Sequence, residues 1–211
     1  MGKVKFGLSN IHLFPLTETT DPDTGAVTTT YGTGVAFPGA VNLELSVESD
    51  EPDAFYADNG IYYQPAALSK GYSGNLTVAK LLDNIKTAFL NFVKDQDGAV
   101  IEVNGNEKKY FAMTCENESD DQPIKKVFYK CSFGVPDVSM NTIEDQKTPE
   151  TDSVPLTIIP TAEKFTYEDA NGNNVTTSVV SGTIDKTGDA TVYNQWHNAP
   201  HMPNFEAGSG S

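Results

Sequence analysis

Two short acidic segments carry the residues best suited to binding a cation. They read Asp21-Pro22-Asp23-Thr24-Gly25 and Asp95-Gln96-Asp97-Gly98, and alternating carboxylates of this kind converge on the ion in calcium-binding loops. Neither segment completes that pattern. If Gly98 is placed on the glycine that such loops require, Val93 takes the first ligand position and Asn104 takes the last, where a bidentate Glu is needed. We therefore interpret both segments as turns.

The histidines and cysteines do not complete a reactive site by their spacing. His197 and His201 form the only close pair, His12 lies far from both, and no Cys or carboxylate stands where a zinc set would need it. No Gly-x-Ser-x-Gly elbow and no local Cys and His arrangement indicates a nucleophile, although a triad can assemble from distant residues. The sequence therefore predicts no catalytic residue, no metal site, no cofactor and no enzymatic activity.

The charge distribution excludes several classes of ligand. The chain has 211 residues with a formal charge of -15, and all 14 of its basic residues are lysine. Arginine supplies the planar fork that holds phosphates and carboxylates, so its absence argues against a nucleotide site or base reading. The negative charge also opposes tight binding to nucleic acid, because that affinity comes mainly from neutralising phosphates.

The N-terminus and the cysteine content predict folding in the cytosol. Residues 1–9 lack the apolar run of a signal peptide, and no stretch is long and apolar enough to span a bilayer. Cys115 and Cys131 are too few for a disulfide framework. We expect them to be free, buried packing residues, although a disulfide between them would be geometrically possible if they oxidised.

Hydrophobic periodicity predicts one clear strand and one helix. Residues 41–47 alternate strictly between apolar and polar, which predicts a strand with its apolar side chains on one face. Residues 81–93 change to helical spacing, which predicts an amphipathic helix with Asp83 near its start. The strand face consists of Val41, Leu43, Leu45 and Val47, and the helix face of Leu82, Ile85, Phe89 and Val93.

Turn signals predict a series of antiparallel hairpins. Asn59-Gly60 lies between short aromatic runs, and Asn171-Gly172 lies between two strand-like runs near the C-terminus. Residues 17–34, rich in Thr, Asp and Gly, predict a long surface loop or a projecting hairpin. Residues 154–159 predict an edge strand, because Pro155 has no backbone donor.

The register of the central hairpin follows from its apolar residues. If Cys115 lies opposite Cys131, then Met113 faces Phe133 and Phe111 faces Val135, and one continuous core face results. We therefore predict this pairing. The chain is predicted to be a single domain over residues 1–205, with an N-terminal arm, the loop 17–34 and a C-terminal extension from about residue 161, while residues 206–211 are a flexible tail or an artificial appendage.

Several segments, taken in order, resemble the major tail protein (tail tube) family of siphophages that infect low-GC Gram-positive bacteria. The order and spacing of these segments carry the resemblance, because no single motif is specific. The segments are Val4 to His12, Ala57-Asp58-Asn59, Gly71 to Gly74, the helix after Leu81, Asp97 to Glu102, Lys126 to Phe133, and Asp189 to Trp196 followed by Pro203. The tip at residues 168–174 departs from the family pattern and is interpreted as an insertion on the tube exterior.

The resemblance implies a mostly β fold, a β-sandwich/barrel of antiparallel strands with one flanking α-helix. It also implies a structural subunit of the virion, assembled in the host cytoplasm into stacked hexameric rings around the tape measure protein. Tail terminator and distal tail proteins would be further partners, and DNA would pass through without specific binding. Six copies at -15 give 6 × -15 = -90 per ring, which would repel phosphates from the bore.

Candidate contact residues follow from the same expectation. Asp21, Asp23 and Tyr31 of the loop 17–34 are predicted to cross a subunit boundary, because a long polar loop is unlikely to be stable alone. The predicted acidic residues of the lumen are Glu48, Asp50 and Glu51. The aromatic residues around Asn59-Gly60 could pack in the core or at a subunit interface, or could stack on sugars in the alternative function, a secreted or surface β-sandwich module that binds carbohydrate.

Overall fold

The computed structural model describes residues 5–50, 55–63, 68–105, 107–119, 121–138, 140–142 and 149–205. The predicted lumen residue Glu51 and the predicted tail 206–211 lie outside these residues. The elements, in chain order, are β1 (Lys5–Thr20), β2 (Val27–Tyr31), β3 (Val35–Ala36), β4 (Ala40–Asp50), β5 (Phe55–Ala57), β6 (Gly60–Tyr63), β7 (Leu68–Val78), α1 (Asp83–Phe89), β8 (Phe92–Lys94), β9 (Val100–Glu102), β10 (Tyr110–Ser119), β11 (Ile124–Phe133), β12 (Asp152–Ile158), β13 (Lys164–Glu168), β14 (Asn174–Ser178), β15 (Ser181–Ile184) and α2 (Ala190–Gln195).

The architecture is mostly β, as predicted. One nine-stranded sheet runs in the order β2-β1-β10-β11-β12-β7-β4, with β3 added to β1 and β15 added to β11. Its strand pairs are antiparallel. The pairs β5–β6, β8–β9 and β13–β14 form separate two-stranded hairpins. Within the described residues, neither helix has the length and apolar character needed to cross a membrane.

The main sheet curls until strands near its two ends approach each other. The segment after β3 makes the connection, since Phe37 N donates to Ile11 O of β1 at 2.8 Å and Ala79 N, just after β7, donates to Gly39 O at 2.7 Å. The core lies inside the curl and takes apolar side chains from β1, β7, β10, β11, β12 and α1. Its largest fully buried members include Phe37, Phe111, Leu13, Leu76, Ile85, Met113, Leu156 and Ile158.

A smaller apolar cluster covers the opposite face of β11. Val127 and Tyr129 pack there against Trp196, which follows α2 and is 3% exposed. Residues of β11 are therefore buried on both faces of the sheet. The cluster holds the C-terminal segment against the outside of the sheet.

The predicted register of the central hairpin is wrong. Phe111 of β10 lies opposite Cys131, and beyond an irregularity Met113 lies opposite Phe128 and Cys115 opposite Lys126. Two steps along β10 thus match three along β11, which is a β-bulge, and the extra residue lets both Phe128 and Cys131 reach the core. Both cysteines are nevertheless buried and free, as predicted.

The predicted helix over residues 81–93 is too long. α1 ends at Phe89, and the chain then turns through Leu90 into β8, where Val93 pairs with Ile101 and is 53% exposed. Asp83 does lie in the first turn, and Ile85 and Phe89 are buried. The helical spacing of apolar residues continues past the end of the helix into a strand.

The edge position predicted for residues 154–159 is also wrong, because β12 lies between β11 and β7. Its pairing with β11 stops at Leu156 opposite Phe133. Gly134 N donates to Pro155 O at 2.8 Å, so the Pro155 nitrogen points to the same side, where β11 has already ended. The missing donor therefore costs no hydrogen bond within a strand pair.

In β4 the predicted alternation holds only in the middle of the strand. Leu43 and Leu45 pack against the core, whereas Val41 and Val47 are more than half exposed. The late hairpin is confirmed as β13–β14, with Gly172 at φ +83° in its turn. Residues 17–34 form the second of the two predicted structures, a projecting hairpin in which the end of β1 pairs with β2.

Candidate functional site

Both acidic segments form turns, as interpreted from the sequence. Asp21 accepts hydrogen bonds from Asp23 N at 2.9 Å and from the Thr24 hydroxyl at 2.7 Å, and these two bonds lower the pKa of its carboxyl. Asp95 accepts from Ala99 N at 2.7 Å in the second turn. In the part of the chain that the structure describes, no group of three or more His, Cys, Asp or Glu side chains is arranged to hold a metal ion.

The base of the β1–β2 hairpin is fastened to the rest of the chain. Lys130, 8% exposed, places its Nζ 2.7 Å from both carboxylate oxygens of Glu18. Thr29 N donates to Glu163 Oε2 at 2.8 Å. The tip, residues 21–26, makes no such contact with distant residues among those described.

The predicted boundary residues take different positions in this hairpin. Asp21 and Asp23 lie at the exposed tip. Tyr31 lies at the base, where its hydroxyl donates to Tyr129 O at 3.2 Å and its ring packs on the smaller apolar cluster. Burial raises the pKa of the Tyr31 hydroxyl. The geometry thus leaves the tip, and not Tyr31, available to another subunit.

Two of the predicted lumen residues, Glu48 and Asp50, lie at the end of an edge strand. Glu48 is exposed on β4 and accepts a hydrogen bond from the Ser73 hydroxyl of β7, and Asp50 is the last residue of β4. Among the described residues β4 pairs only with β7. Glu48 is thus held in place beside an open sheet edge.

A buried polar cluster that the sequence did not reveal joins the C-terminal segment to β10. His197 Nε2 lies 2.7 Å from Glu116 Oε1, and the Thr114 hydroxyl lies 2.8 Å from His197 Nδ1. Because an ionised carboxylate can only accept, Nε2 donates to Glu116 and Nδ1 accepts from Thr114. Lys125 Nζ, 3.4 Å from Glu116 Oε1, also donates to Tyr193 O at 2.9 Å.

The pKa shifts in this cluster agree with a neutral imidazole beside a charged carboxylate. Burial lowers the pKa of His197 below 6.5, and its contact with Glu116 only partly opposes this effect. Burial by itself would raise the pKa of Glu116, but hydrogen bonds from Asn10 and His197 and the charge of Lys125 bring it below 4.5. The cluster is therefore a directional set of hydrogen bonds at neutral pH.

The order Thr114, His197, Glu116 matches a nucleophile, a base and an acid that orients the base. Catalysis also requires that a substrate reach the nucleophile, and Thr114 is 0% exposed beneath the C-terminal segment. We therefore assign the cluster to attachment of that segment. No local sequence signal could have found it, since His197 lies 81 residues from Glu116.

The aromatic residues around the predicted Asn59-Gly60 turn form an exposed apolar cluster. Phe55, Tyr56, Ile61, Tyr62 and Tyr63 are between 58% and 75% exposed. They lie on β5 and β6, whose turn has Asp58 at φ 51° and Asn59 at φ 64°, one residue earlier than predicted. Positive φ at both central residues is what a tight hairpin turn requires. We call residues 55–63 the aromatic hairpin.

No family model matches this chain, and a search of curated proteins finds no match. The geometry of the molecule is therefore what can support a function. Two of its features leave apolar side chains or backbone hydrogen-bonding groups uncovered in an isolated copy. They are the aromatic hairpin, with its exposed apolar side chains, and the two strands that end the main sheet, β2 and β4.

Proposed function

We propose that the chain is a structural subunit of a phage tail tube, which assembles into hexameric rings stacked around the tape measure protein. The observation that carries the proposal is the open edge of β4. This strand has 11 residues, ends the main sheet and pairs only with β7 among the described residues. An unpaired edge of that length is a template for another chain, and natural monomers usually shorten or cover such edges.

The positions of the two end strands fit a ring. β4 and β2 stand at opposite ends of the strand order of the main sheet. A contact between two different faces of identical subunits closes into a ring when its rotation divides a full turn. The edge strands therefore offer the two unlike surfaces that such a contact needs.

The charge of the chain supports passage of DNA without binding. Glu48 and Asp50 belong to the open edge strand, and the whole chain carries -15. A bore lined by carboxylates would repel phosphates, and it would have little affinity for them at any salt concentration. The tail terminator, distal tail and tape measure proteins remain proposed partners, and the virion tail remains the proposed location.

Negative-stain microscopy of the concentrated purified protein tests this function. We expect rings or tubes of constant diameter, with sedimentation velocity showing the same species in solution. Protein that stays monomeric at every concentration, with or without its phage partners, while capturing or converting a small ligand would overturn the proposal.

A carbohydrate-binding module is the second candidate, because the aromatic hairpin carries exposed rings beside Asp58. Aromatic faces stack on sugars, and a nearby carboxylate can bind their hydroxyls. A glycan array separates the two functions. Binding of one glycan class by a monomer, abolished in Tyr62→Ala, would favour this candidate over the tube.

A further inference from the structure

A second exposed apolar surface lies beside α1, and no residue of the aromatic hairpin belongs to it. Val93 and Ile101 of the β8–β9 hairpin, with Val103 just after it, are 40% to 53% exposed, and Val135 after β11 is 69% exposed. Val103 and Val135 help line a pocket of about 610 Å³. We call this pocket the receiving pocket. It is concave, whereas the aromatic hairpin is a narrow two-stranded projection.

The walls of the receiving pocket are fixed by hydrogen bonds and packed rings. Lys109 Nζ donates to Thr87 O and Leu90 O, both at 2.8 Å, and so holds the approach to β10 against the end of α1. Val103 N donates to Asn91 O at 2.9 Å on another side. Behind these residues the Phe111 ring lies 5.2 Å from Phe89 and 4.5 Å from Phe133. The pocket therefore exists before anything fills it.

The two surfaces differ in charge as well as in shape. Residues 41–69, which contain the aromatic hairpin, carry six acidic residues and no lysine. Residues 80–109, which contain most of the pocket wall, carry five lysines and five acidic residues. Lys108, exposed at the pocket, makes no ion pair with any described residue. In a chain of -15, this neutral surface is where an acidic segment of another copy meets little repulsion.

The two surfaces are at different places on the molecule. The aromatic hairpin ends at Tyr63, shortly before β7 begins at Leu68, whereas Gly134 of the pocket bonds to Pro155, which is level with Asn75 of β7. Asn75 lies seven positions after Leu68, which is roughly 23 Å along a strand. The hairpin does not enter the pocket of its own chain, since its side chains are more than half exposed.

We infer that the aromatic hairpin of one copy docks into the receiving pocket of the next copy. Each copy then gives one projection and receives one, which is a heterologous contact that propagates from subunit to subunit. The apolar side chains that are exposed in one copy become the buried centre of the contact. Asp58 of the hairpin meets Lys108 at the rim. The inference rests on the proposed function and adds the surface through which subunits recognise each other.

Disulfide trapping between two variants tests the contact. Tyr62→Cys and Val103→Cys are mixed and mildly oxidised; the native cysteines do not interfere because they are 1% and 0% exposed. We expect a disulfide-linked heterodimer whose linked peptides contain positions 62 and 103. The control pair combines Tyr62→Cys with Thr177→Cys, an exposed position on β14, and should give no heterodimer above background.

Assembly of a hairpin variant separates this inference from the proposed function. Tyr62→Ser with Tyr63→Ser should keep the melting temperature of the unaltered protein, because both rings are exposed, and should lose rings and tubes. Rings and tubes from this variant, or no trapped heterodimer while the unaltered protein forms tubes, would overturn the inference alone. A trapped heterodimer from a protein that never forms rings or tubes would overturn the proposed function and leave the contact standing. Absence of both would overturn both.

Discussion

Glu116 and His197 couple the stability of the protein to pH. The folded protein lowers the pKa of His197 below 6.5, so the unfolded chain binds the proton more readily. The free energy of unfolding therefore falls as the pH drops through 6.5 toward the folded pKa. The lowered pKa of Glu116 acts in the same direction further into acid, from 4.5 downward.

We predict that His197→Gln removes the part of this pH dependence that begins near 6.5. Glutamine keeps one donor and one acceptor for Glu116 and Thr114 but does not titrate. Urea denaturation at pH steps from about 7.5 to 5.5 measures the free energy of unfolding across the window where histidine changes charge. His201→Gln is the control, because His201 stacks on Trp196 outside the hydrogen-bonded cluster. Loss of the same slope in both variants would contradict the assignment.

The two thiols should be inert in the folded protein. Cys115 and Cys131 are buried in the core, and burial raises the pKa of the Cys115 thiol to about 12. Thiol-specific reagents react with the thiolate, and almost none of the Cys115 thiol is ionised at neutral pH. We predict no labelling by a thiol-specific reagent in native buffer and labelling of both residues in denaturant. Rapid labelling of either cysteine in native buffer would show that the core opens or that the positions of these residues are different.

The cysteines and the acidic turns show what could be predicted at the scale of residues. The acidic turns depend on residues a few positions apart, which the sequence displays, and free cysteine is among the most buried residue types. The contact between Glu116 and His197 depends on the C-terminal segment lying across β10, and no local pattern encodes that placement. The exposure of the aromatic hairpin could not be predicted either, because aromatic residues are common both in cores and at interfaces.

At the scale of elements, Gly71 permits the close approach of β7 and β12. It has φ +120°, and a Cβ added there would lie 1.9 Å from Ile158 O. Gly71→Ala should therefore destabilise the protein by more than about 2 kcal/mol, since a backbone carbonyl must move and the backbone is strained. Thermal and urea unfolding measure the effect. Gly7→Ala, where nothing lies within 4 Å of the added Cβ, is the control and should change stability little.

The β1–β2 hairpin can be tested by shortening only its tip. Removing all of residues 18–33 would also remove Glu18, which would leave the buried Lys130 charge without its partner and destabilise the fold. Replacing residues 21–26 with Asn-Gly keeps the paired strands and the Glu18 contact. If the tip crosses a subunit boundary, this variant is a folded monomer that forms no tubes. Normal tubes from it would refute the boundary role of Asp21 and Asp23.

The elements that could be predicted from the sequence are those with an uninterrupted local pattern of turn residues or apolar spacing. β13–β14 and the start of α1 followed from turn residues and spacing. The bulge between β10 and β11 and the end of α1 did not follow, because each is decided by which side chains fill the core. α2 was missed, although Asp189 accepts from Val192 N and is a recognisable helix cap. Its six residues gave no apolar period to accompany the cap.

At the scale of the whole molecule, surplus charge and uncovered surface have opposite effects on association between copies. A formal charge of -15 keeps copies apart, while the open edge of β4 and the aromatic hairpin favour contact. Charge repulsion between copies is screened by salt over about 8 to 10 Å at physiological ionic strength. Whether copies associate then depends on how well the surfaces in contact complement each other. The sequence supplied the charge, but only the structure shows which surfaces remain uncovered.

The direction in which Glu48 faces in a tube can be measured with DNA. Glu48→Lys changes the charge at the open edge of β4, whereas Glu168→Lys makes the same change on β13, at the tip predicted to lie outside the tube. Lysine neutralises phosphates and a six-copy ring presents six of them, but each subunit keeps a charge of -15 + 2 = -13. Each variant should therefore bind a short duplex only at low salt, at the place where its lysines lie. We predict that tubes of Glu48→Lys protect the duplex from nuclease, while tubes of Glu168→Lys bind it without protection. Equal protection by the two variants, or protection by Glu168→Lys alone, would show that β4 does not line the lumen.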